Sequence, residues 1–357
     1  MTGLCDLVNI VLCLAGFIGG SLDTPTHGLI GRLVARSLWP EKTQTGLVRV
    51  VTVCSLLPDL DVLFPGEGLE GLVTHRGMSH SLLGVVVGAG VVAGLVHWMA
   101  LRHHRFCRVY LASFLGLLLH VFFDVVTSYG TVIFAPFSNY RASLDLWFII
   151  DPYLDAILIA SLLVGWLTRF KKQGYRLGTG LLVFYLLLAV VVTGVGHGQV
   201  RDWAKTQGIT VDRVVVMPTP FSPLHRRGMV VCGDRVYWMP MSLFGGVYGD
   251  AVVYDSALSD ARLQTLWPLR AGEIYGWFAR VPVVRSLTAN TLLVQDLQFV
   301  VLSEGFGWLG AWVARLAVDH WPSVFDRRNF ALEVQLDAQQ RILHIFYFDQ
   351  NGERHAL

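Results

Sequence analysis

The stretch "THRGMSHSLLGVVVGAGVVAGLVHWMAL" runs from Thr74 to Leu101 and joins a polar segment to a long apolar one. The apolar part, 82–101, has the length that crosses the hydrocarbon core of a bilayer, about 17–25 residues. The polar part places His75, Arg76 and His80 directly before it. Polar groups at a lipid boundary cost free energy unless a partner satisfies them. The stretch therefore predicts a membrane helix with a binding group at its start.

Further apolar runs occur in the first half of the chain. Runs of spanning length cover 109–126, 147–167 and 178–196, and a shorter run covers 4–20. The apolar run 47–57 is too short to cross alone and fits a re-entrant or buried helix. The run 4–20 fits a first span better than a signal peptide, because it contains Asp6 and lacks a basic start. Only 15% of the residues are charged, against about 25% in soluble domains. We therefore expect several membrane helices.

The composition changes after His197. Downstream, short segments rich in β-branched and aromatic residues alternate with turn formers, and the prolines between 218 and 223 mark a loop. The predicted strand segments are 235–239, 251–254, 291–294, 299–302, 330–336 and 342–348. The predicted fold is therefore an α-helical multi-pass membrane domain over 1–197, followed by a β-rich or α+β soluble C-terminal domain over 198–357.

Cysteine spacing and net charge exclude some classes of site. The five cysteines are scattered, and no two of them form a CxxC pair. They therefore support neither a disulfide framework nor a thiolate zinc site. A formal net charge of +2, without a long basic patch, predicts no nucleic-acid partner.

The orientation follows from two basic connections, "RHHRFCR" (102–108) and "RFKKQGYR" (169–176). Short loops rich in Lys and Arg face the cytoplasm. If each apolar run crosses once, the segment 75–80, the connection 124–146 and the C-terminal domain all lie on the extracytoplasmic side.

Acidic and histidine side chains lie at the edges of the apolar segments, and this topology brings them to one membrane face. They are His27, Asp59, Asp61, His75, His80, His120 and Asp124. His120 and Asp124 are four residues apart on a helix, so they point the same way and can share one ion. Imidazole and carboxylate together are ordinary ligands of zinc or manganese. One metal ion would satisfy all of these groups together.

Each motif alone also has a simpler structural interpretation. Asp124 could orient the His120 ring through a hydrogen bond. Asp59 and Asp61, two residues apart, could lie in a solvated loop. His27 alone could be a structural histidine whose hydrogen bonds are made within the protein.

The remaining polar residues near the motifs are open to similar alternatives. Arg76 suits a phosphate or a carboxylate, and it could equally contact a lipid headgroup or a neighbouring acid. Ser79 is expected to cap the helix that follows it, and Asp151 is expected to cap another helix. Arg141 and Asp145 could pair with each other or line the pocket.

Five blocks, "THGLIG", "LLPDLDVLF", "HRGMSHSLLG", "HVFFDVVTSYGT" and "APFSNYRASLDLWFIIDP", resemble in this order the YdjM-like family of membrane-bound metal-dependent hydrolases. The resemblance covers about residues 23–155. It implies a multi-pass protein of the bacterial inner membrane that binds divalent metal through the seven residues named above. The arrangement also looks like a distant version of zinc-dependent phospholipases C and related single-strand nucleases, an analogy that hints at phosphoesters.

These observations favour a metal-dependent hydrolase. One or two divalent ions, zinc being favoured over manganese or magnesium, would activate water against a phosphoester or another ester. Asp61 or His80 is the expected general base, and Arg76 is expected to hold an anionic group. Two of the seven residues are expected to hold the metal ligands in position without binding the metal themselves. A lipid-like phosphoester is the natural substrate at a membrane face, and membrane lipids are the expected partners.

Two other classes remain open. A cation-coupled transporter could use intramembrane acids and histidines, but the chain shows no pair of related halves, and its polar groups lie at helix ends. A non-enzymatic membrane protein could use the metal only to hold its helices together.

Overall fold

The computed structural model describes residues 24–63, 66, 68–149, 151–168, 171–220, 222–300, 328–349 and 352–357. The apolar run 4–20, a predicted span, lies outside them. The chain divides into two compact units. The first comprises the residues up to 65 together with 74–188, and the second comprises 66–73 together with 189–357.

The first unit is helical, as the sequence predicts. The helices of the described chain are α1 (Thr24–Leu38), α2 (Thr45–Cys54), α3 (Gly71–Thr74), α4 (Leu82–Met99), α5 (Phe106–Val126), α6 (Pro152–Leu167), α7 (Lys171–Thr206) and α8 (Arg270–Phe278). Within the described residues, α4, α5 and α7 are long and apolar enough to cross a membrane. Helix α6 is apolar but has only 16 residues. The predicted helical membrane region is thus confirmed.

Helix α6 begins later than the apolar run 147–167 suggests. The side chain of Asp151 accepts hydrogen bonds from the backbone N–H groups of Tyr153 and Leu154, at 3.0 and 3.1 Å, and Pro152 occupies the first turn. This N-cap fixes the helix start, because it satisfies amide groups that have no partner inside the helix. The predicted cap at Asp151 is confirmed.

Helix α2 is the apolar segment that is too short to cross. Leu47, Val48 and Val51 are fully buried in a cluster shared with α4 and α5. Helix α5 approaches closely at Gly116, where an added Cβ would lie 2.5 Å from both the carbonyl oxygen of Val51 and the Cβ of Cys54. The absence of a side chain at Gly116 therefore sets the distance between α2 and α5.

The second unit is an antiparallel sheet. Its strands are β1 (Arg213–Thr219), β2 (Ser222–Cys232), β3 (Arg235–Ser242), β4 (Gly246–Val247), β5 (Val252–Ser256), β6 (Pro282–Thr288), β7 (Thr291–Asp296), β8 (Ala331–Leu336), β9 (Ile342–Phe348) and β10 (Arg354–Ala356). The strands follow the order β1-β2-β3-β5-β6-β7-β8-β9-β10, and β4 pairs with β3. Met217, Met229 and Trp238 are fully buried in its core. The predicted β-rich C-terminal domain is thus confirmed.

Two details of this sheet differ from the sequence prediction. Of the prolines predicted to mark a loop, Pro220 lies in a turn, but Pro218 lies near the end of β1 and Pro223 lies in β2. Strand β1 is the first strand in the sheet order, and an edge strand tolerates proline. The predicted strand at 299–302 does not begin at Phe299, which lies in a turn where its N–H donates to the carbonyl of Asp296.

We expect the substitution Gly116→Ala to lower stability by about 1–3 kcal/mol, because the new methyl group would meet the backbone of α2. The measurement is the thermal unfolding midpoint of the detergent-purified protein. The matched control is Gly90→Ala in α4, where an added Cβ meets nothing within 4 Å. An equal effect of both substitutions would show that the α2–α5 contact does not limit stability.

Candidate metal centre

Five of the seven polar residues singled out in the sequence converge inside the first unit. Helix α1 supplies one histidine, a 3₁₀ turn at Pro58–Leu63 supplies one aspartate, and a second 3₁₀ turn at Met78–His80 supplies another histidine. Helix α5 supplies a histidine and an aspartate from its last turns. The five residues are His27, Asp59, His80, His120 and Asp124, and all are buried. They form two overlapping groups, each able to hold a metal ion.

Local backbone geometry explains how His80 turns inward just before a membrane helix. Arg76 has a positive φ of 55°, and the chain then bends at Gly77 before the 3₁₀ turn. Ser81 caps α4 by accepting a hydrogen bond from the N–H of Gly84 at 2.9 Å. The prediction that Ser79 caps this helix is wrong, because its hydroxyl donates instead to Asp61 at 2.9 Å.

The spacing of four ligand atoms fits a metal ion. The Nε2 atoms of His80 and His120 are 3.1 Å apart. They lie 3.6 and 3.3 Å from Oδ1 of Asp59, and 3.2 and 3.4 Å from Oδ2 of Asp124. A tetrahedral ion with bonds of about 2.0–2.1 Å has ligand atoms about 3.3–3.4 Å apart. An octahedral ion with similar bonds needs about 3.0 Å. The five distances lie close to these values, and the residues form two overlapping groups of three ligands that share His120.

The outward hydrogen bonds of the two rings direct their Nε2 atoms toward this point. The Nδ1–H of His120 donates to the carbonyl of Ser55 at 2.9 Å. His80 Nδ1 lies 2.9 Å from the hydroxyl of Ser79, whose own proton goes to Asp61, so the ring is the donor. When Nδ1 carries the proton of a neutral imidazole, Nε2 carries the lone pair that binds metal. Both rings are therefore held in the tautomer of a ligand.

The carboxylate of Asp124 lacks the hydrogen-bond donors that a buried carboxylate usually has. Both of its carboxylate oxygens are buried and accept no well-aligned hydrogen bond. Nevertheless, Nε2 of His27 lies 3.3 Å and Nη2 of Arg76 lies 3.1 Å from Oδ1. A buried carboxylate without aligned donors is costly. A cation between Asp124 and the imidazoles would complete its coordination, so the residues present fit a divalent metal.

Asp61 and His75 lie outside this cluster. Asp61 accepts hydrogen bonds from the ring of His75 at 2.9 Å, from the backbone N–H of Arg76 at 3.0 Å and from the hydroxyl of Ser79 at 2.9 Å. The His75 and Asp61 side chains are 24% and 13% exposed, whereas those of His80 and Asp124 are fully buried. The His75–Asp61 pair therefore occupies the more accessible side of the centre.

The pKa shifts of the site residues show that its carboxylates favour positively charged neighbours. Burial alone would lower the pKa of His80, but the neighbouring carboxylates of Asp124, Asp59 and Asp61 outweigh it and raise this pKa to about 10. Burial alone would raise the pKa of Asp59, but His120 and His80 hold it well below its usual range. The pKa of Asp61 is lowered by His75 and His80 in the same way, against its burial. A bound cation would supply this charge in place of a proton.

Some residues of the site carry no clear signal in the sequence. The hydroxyl of Thr24 donates to Oδ2 of Asp59 at 2.5 Å. Nη1 of Arg76 donates to the hydroxyl of Thr127 at 3.3 Å. Thr24 precedes His27 by one helical turn, and this spacing is the one hint that it reaches the same site. The contact of Thr127 depends on tertiary structure alone.

A family model covers the part of the chain that carries these residues. The family model described as "YdjM inner membrane protein" matches residues 22–200, half of the chain and all five converging residues. The chain is similar to the uncharacterised protein YfhP of Bacillus subtilis (strain 168), with 26% identity over 151 residues. That match covers 40% of this chain and 46% of the relative, so the chain spans less than half of that protein. No solved structure matches.

We expect His120→Ala to abolish stoichiometric metal binding, because Nε2 of His120 belongs to both candidate groups. The measurement is elemental analysis of detergent-purified protein, with the thermal unfolding midpoint as a check on folding. The control is His97→Ala, which removes a histidine from the opposite end of α4. Metal retained at wild-type stoichiometry in His120→Ala would rule out this site.

Proposed function

Since the chain belongs to the YdjM inner membrane protein family, we propose that it is a membrane-bound, metal-dependent hydrolase that cleaves a phosphoester or another ester. One observation carries the proposal. Two imidazole nitrogens and two carboxylates converge at metal-ligand spacing beside a more accessible His–Asp pair. A metal centre with a neighbouring proton-transfer group is the arrangement that hydrolysis requires.

Asp59, His80 and His120 would hold one ion, and His27, His120 and Asp124 form the second, overlapping group, so the centre would hold one or two ions. Two imidazoles and a carboxylate suit zinc, and manganese is the nearest alternative. When bound there, a divalent ion would supply a water molecule of lowered pKa and a Lewis acid for an ester oxygen. The ligands named above would thereby serve catalysis without taking part in proton transfer themselves.

The His75–Asp61 pair is the best candidate for that proton transfer. The carboxylate of Asp61 accepts the Nδ1 proton of His75 and so fixes the ring, leaving Nε2 as the atom that exchanges a proton. This geometry favours His75 as the base over Asp61 or His80. Asp61 already accepts several hydrogen bonds, and Nε2 of His80 faces the ligand cluster.

Arg76 contacts two carboxylates of the site and holds them in position. Its guanidinium lies 3.1 Å from Asp124, and its backbone N–H donates to Asp61. It therefore holds a ligand and the carboxylate of the His–Asp pair at once. This assigns to Arg76 a positioning role in place of direct contact with the substrate.

The positive-inside rule favours one side of the membrane for the proposed chemistry. Helix α4 begins beside the centre and ends at the basic connection 102–108, from which α5 returns. If that connection faces the cytoplasm, the centre opens on the extracytoplasmic face of the bacterial inner membrane. Lys171 and Lys172 favour the cytoplasmic side for the start of α7. If α7 then crosses the membrane, the C-terminal domain that follows it lies on the extracytoplasmic side.

We expect His75→Gln to keep the metal but to lower kcat by about 10²–10⁴-fold, as the loss of a general base does. The measurement is hydrolysis of bis(p-nitrophenyl) phosphate and of a p-nitrophenyl carboxylate ester by metal-loaded protein, with and without chelator. The control is His103→Gln in the connection between α4 and α5, where the side chain is exposed. A fully metallated wild-type protein that cleaves neither substrate would instead favour a structural ion.

A further inference from the structure

The sequence of α7 marks the point at which this helix leaves the membrane. Basic residues precede its apolar run 178–196, and charged residues return at Arg201 and Asp202. A helix rises about 1.5 Å per residue, so a run of this length matches a hydrocarbon core of about 30 Å. The helix therefore leaves the lipid near Gly196. From Ala189 onward it belongs to the same compact unit as the sheet.

Strand β2 lies along this end of α7, and its first residues point toward the lipid. Val230 shares a buried cluster with Val200. An added Cβ at Gly228 would lie 2.5 Å from Cγ2 of Val200. Nε of Arg226 donates a hydrogen bond to Oγ1 of Thr193 at 3.2 Å. The contacts thus move from Val200 to Thr193, about 10 Å along the helix axis toward the membrane.

Strand β3 runs beside β2 in the opposite direction and ends at the same level. Met241 of β3 pairs with Arg226 of β2. An added Cβ at Gly196 would lie 3.1 Å from Cε of Met241. Nε2 of Gln199 donates to the carbonyl of Leu243 at 3.2 Å, and helical side chains lean toward the N-terminus of their helix. The end of β3 therefore lies where α7 leaves the lipid.

The turn between β3 and β4 carries an exposed apolar tip. Phe244 is 87% exposed, the highest value among the large apolar side chains of the described residues. The N–H of Gly245 donates to Oγ of Ser242 at 2.9 Å. The N–H of Leu243 donates to the carbonyl of Leu224 at 3.0 Å. This ordered turn holds the phenylalanine away from the rest of its unit.

The composition of the turn suits a membrane interface. Residues 241–249, MSLFGGVYG, carry no charged side chain, whereas the opposite end of β2 and β3 carries Asp234 and Arg235. The ring of Tyr248 meets that of His225 edge-on, with centroids 6.2 Å apart. Aromatic rings with a polar edge lie among lipid headgroups, and removal of apolar side chains from water is favourable. Lipid headgroups are therefore the surroundings that this turn fits.

We propose that the turn 243–248 inserts into the headgroup layer of the bilayer beside the end of α7, with Phe244 as its apolar anchor. The C-terminal domain is then held on the membrane at two points, through α7 and through this turn. This inference does not depend on the metal centre. It assigns a lipid-contacting surface to a domain whose composition predicts a soluble one.

The first test measures the surroundings of position 244. A solvatochromic fluorescent amino acid replaces Phe244 in the full-length protein, which is reconstituted in phospholipid nanodiscs. We expect a blue-shifted emission, because the side chain leaves water. We also expect lipids with acyl chains brominated near the headgroup to reduce the fluorescence, because their bromines come into contact with the side chain.

The matched control is position 258. Leu258 is 54% exposed and follows β5. The N–H of Ser256 donates to the carbonyl of Asp234 at 2.7 Å, which places this segment at the opposite end of β3. The same fluorophore at position 258 should show the emission of an aqueous site and no loss in brominated lipid.

Three outcomes would overturn the proposal. An aqueous emission at position 244 without quenching would show that the turn does not reach the lipid. A blue shift that brominated lipids leave unquenched would show that a protein surface covers the turn. Equal quenching at positions 244 and 258 would show that the lipid contact is not specific to this turn.

The second test removes the apolar anchor. We expect Phe244→Asp to speed the hydrogen exchange of backbone amides in 242–248 in nanodiscs, because a charged side chain disfavours the headgroup layer that shields them. Leu258→Asp should leave this exchange unchanged. The thermal midpoint of both variants in detergent should equal that of the wild type, since both side chains are exposed. Identical exchange of the turn in wild type and Phe244→Asp would contradict the proposed insertion.

Discussion

The membrane unit depends on the balance of charge around two buried carboxylates, those of Asp59 and Asp124. A buried carboxylate is strongly unfavourable unless positive or hydrogen-bonding groups surround it. The imidazoles of three histidines and the guanidinium of Arg76 supply that balance from three separate segments, namely α1, residues 76–80 and α5. The same constraint therefore fixes how α1, the two 3₁₀ turns and α5 meet, and it creates the site at which chemistry can occur.

Periodicity and length were enough to predict much of this arrangement. The four-residue spacing of His120 and Asp124 places both on one side of α5, because the helix repeat requires it. Apolar length predicted the helices that fit a bilayer, and the short run that became α2 was recognisable as too short. The alternation of short β-rich segments predicted the sheet, although its proline-containing first hairpin was missed.

Contacts between distant segments could not be predicted in this way. Two carboxylates that look alike in sequence, Asp59 and Asp61, have different surroundings. The first faces the imidazoles of the cluster, while the second accepts hydrogen bonds from the chain that follows Thr74. The pairing of Arg76 with Asp124 and the close approach at Gly116 likewise depend on which helices become neighbours. No local pattern in a single sequence encodes that choice.

The dispersion of the cluster along the chain has a consequence for biosynthesis. Asp124 follows His27 by 97 residues, so α1 and the turn that carries Asp59 leave the ribosome well before α5 exists. Until α5 is inserted, those early polar groups lack the partners that make them tolerable inside lipid. The charges of Asp59 and Asp124 can therefore be balanced only after α5 has been inserted, so the cluster is one of the last features of this half of the chain to form.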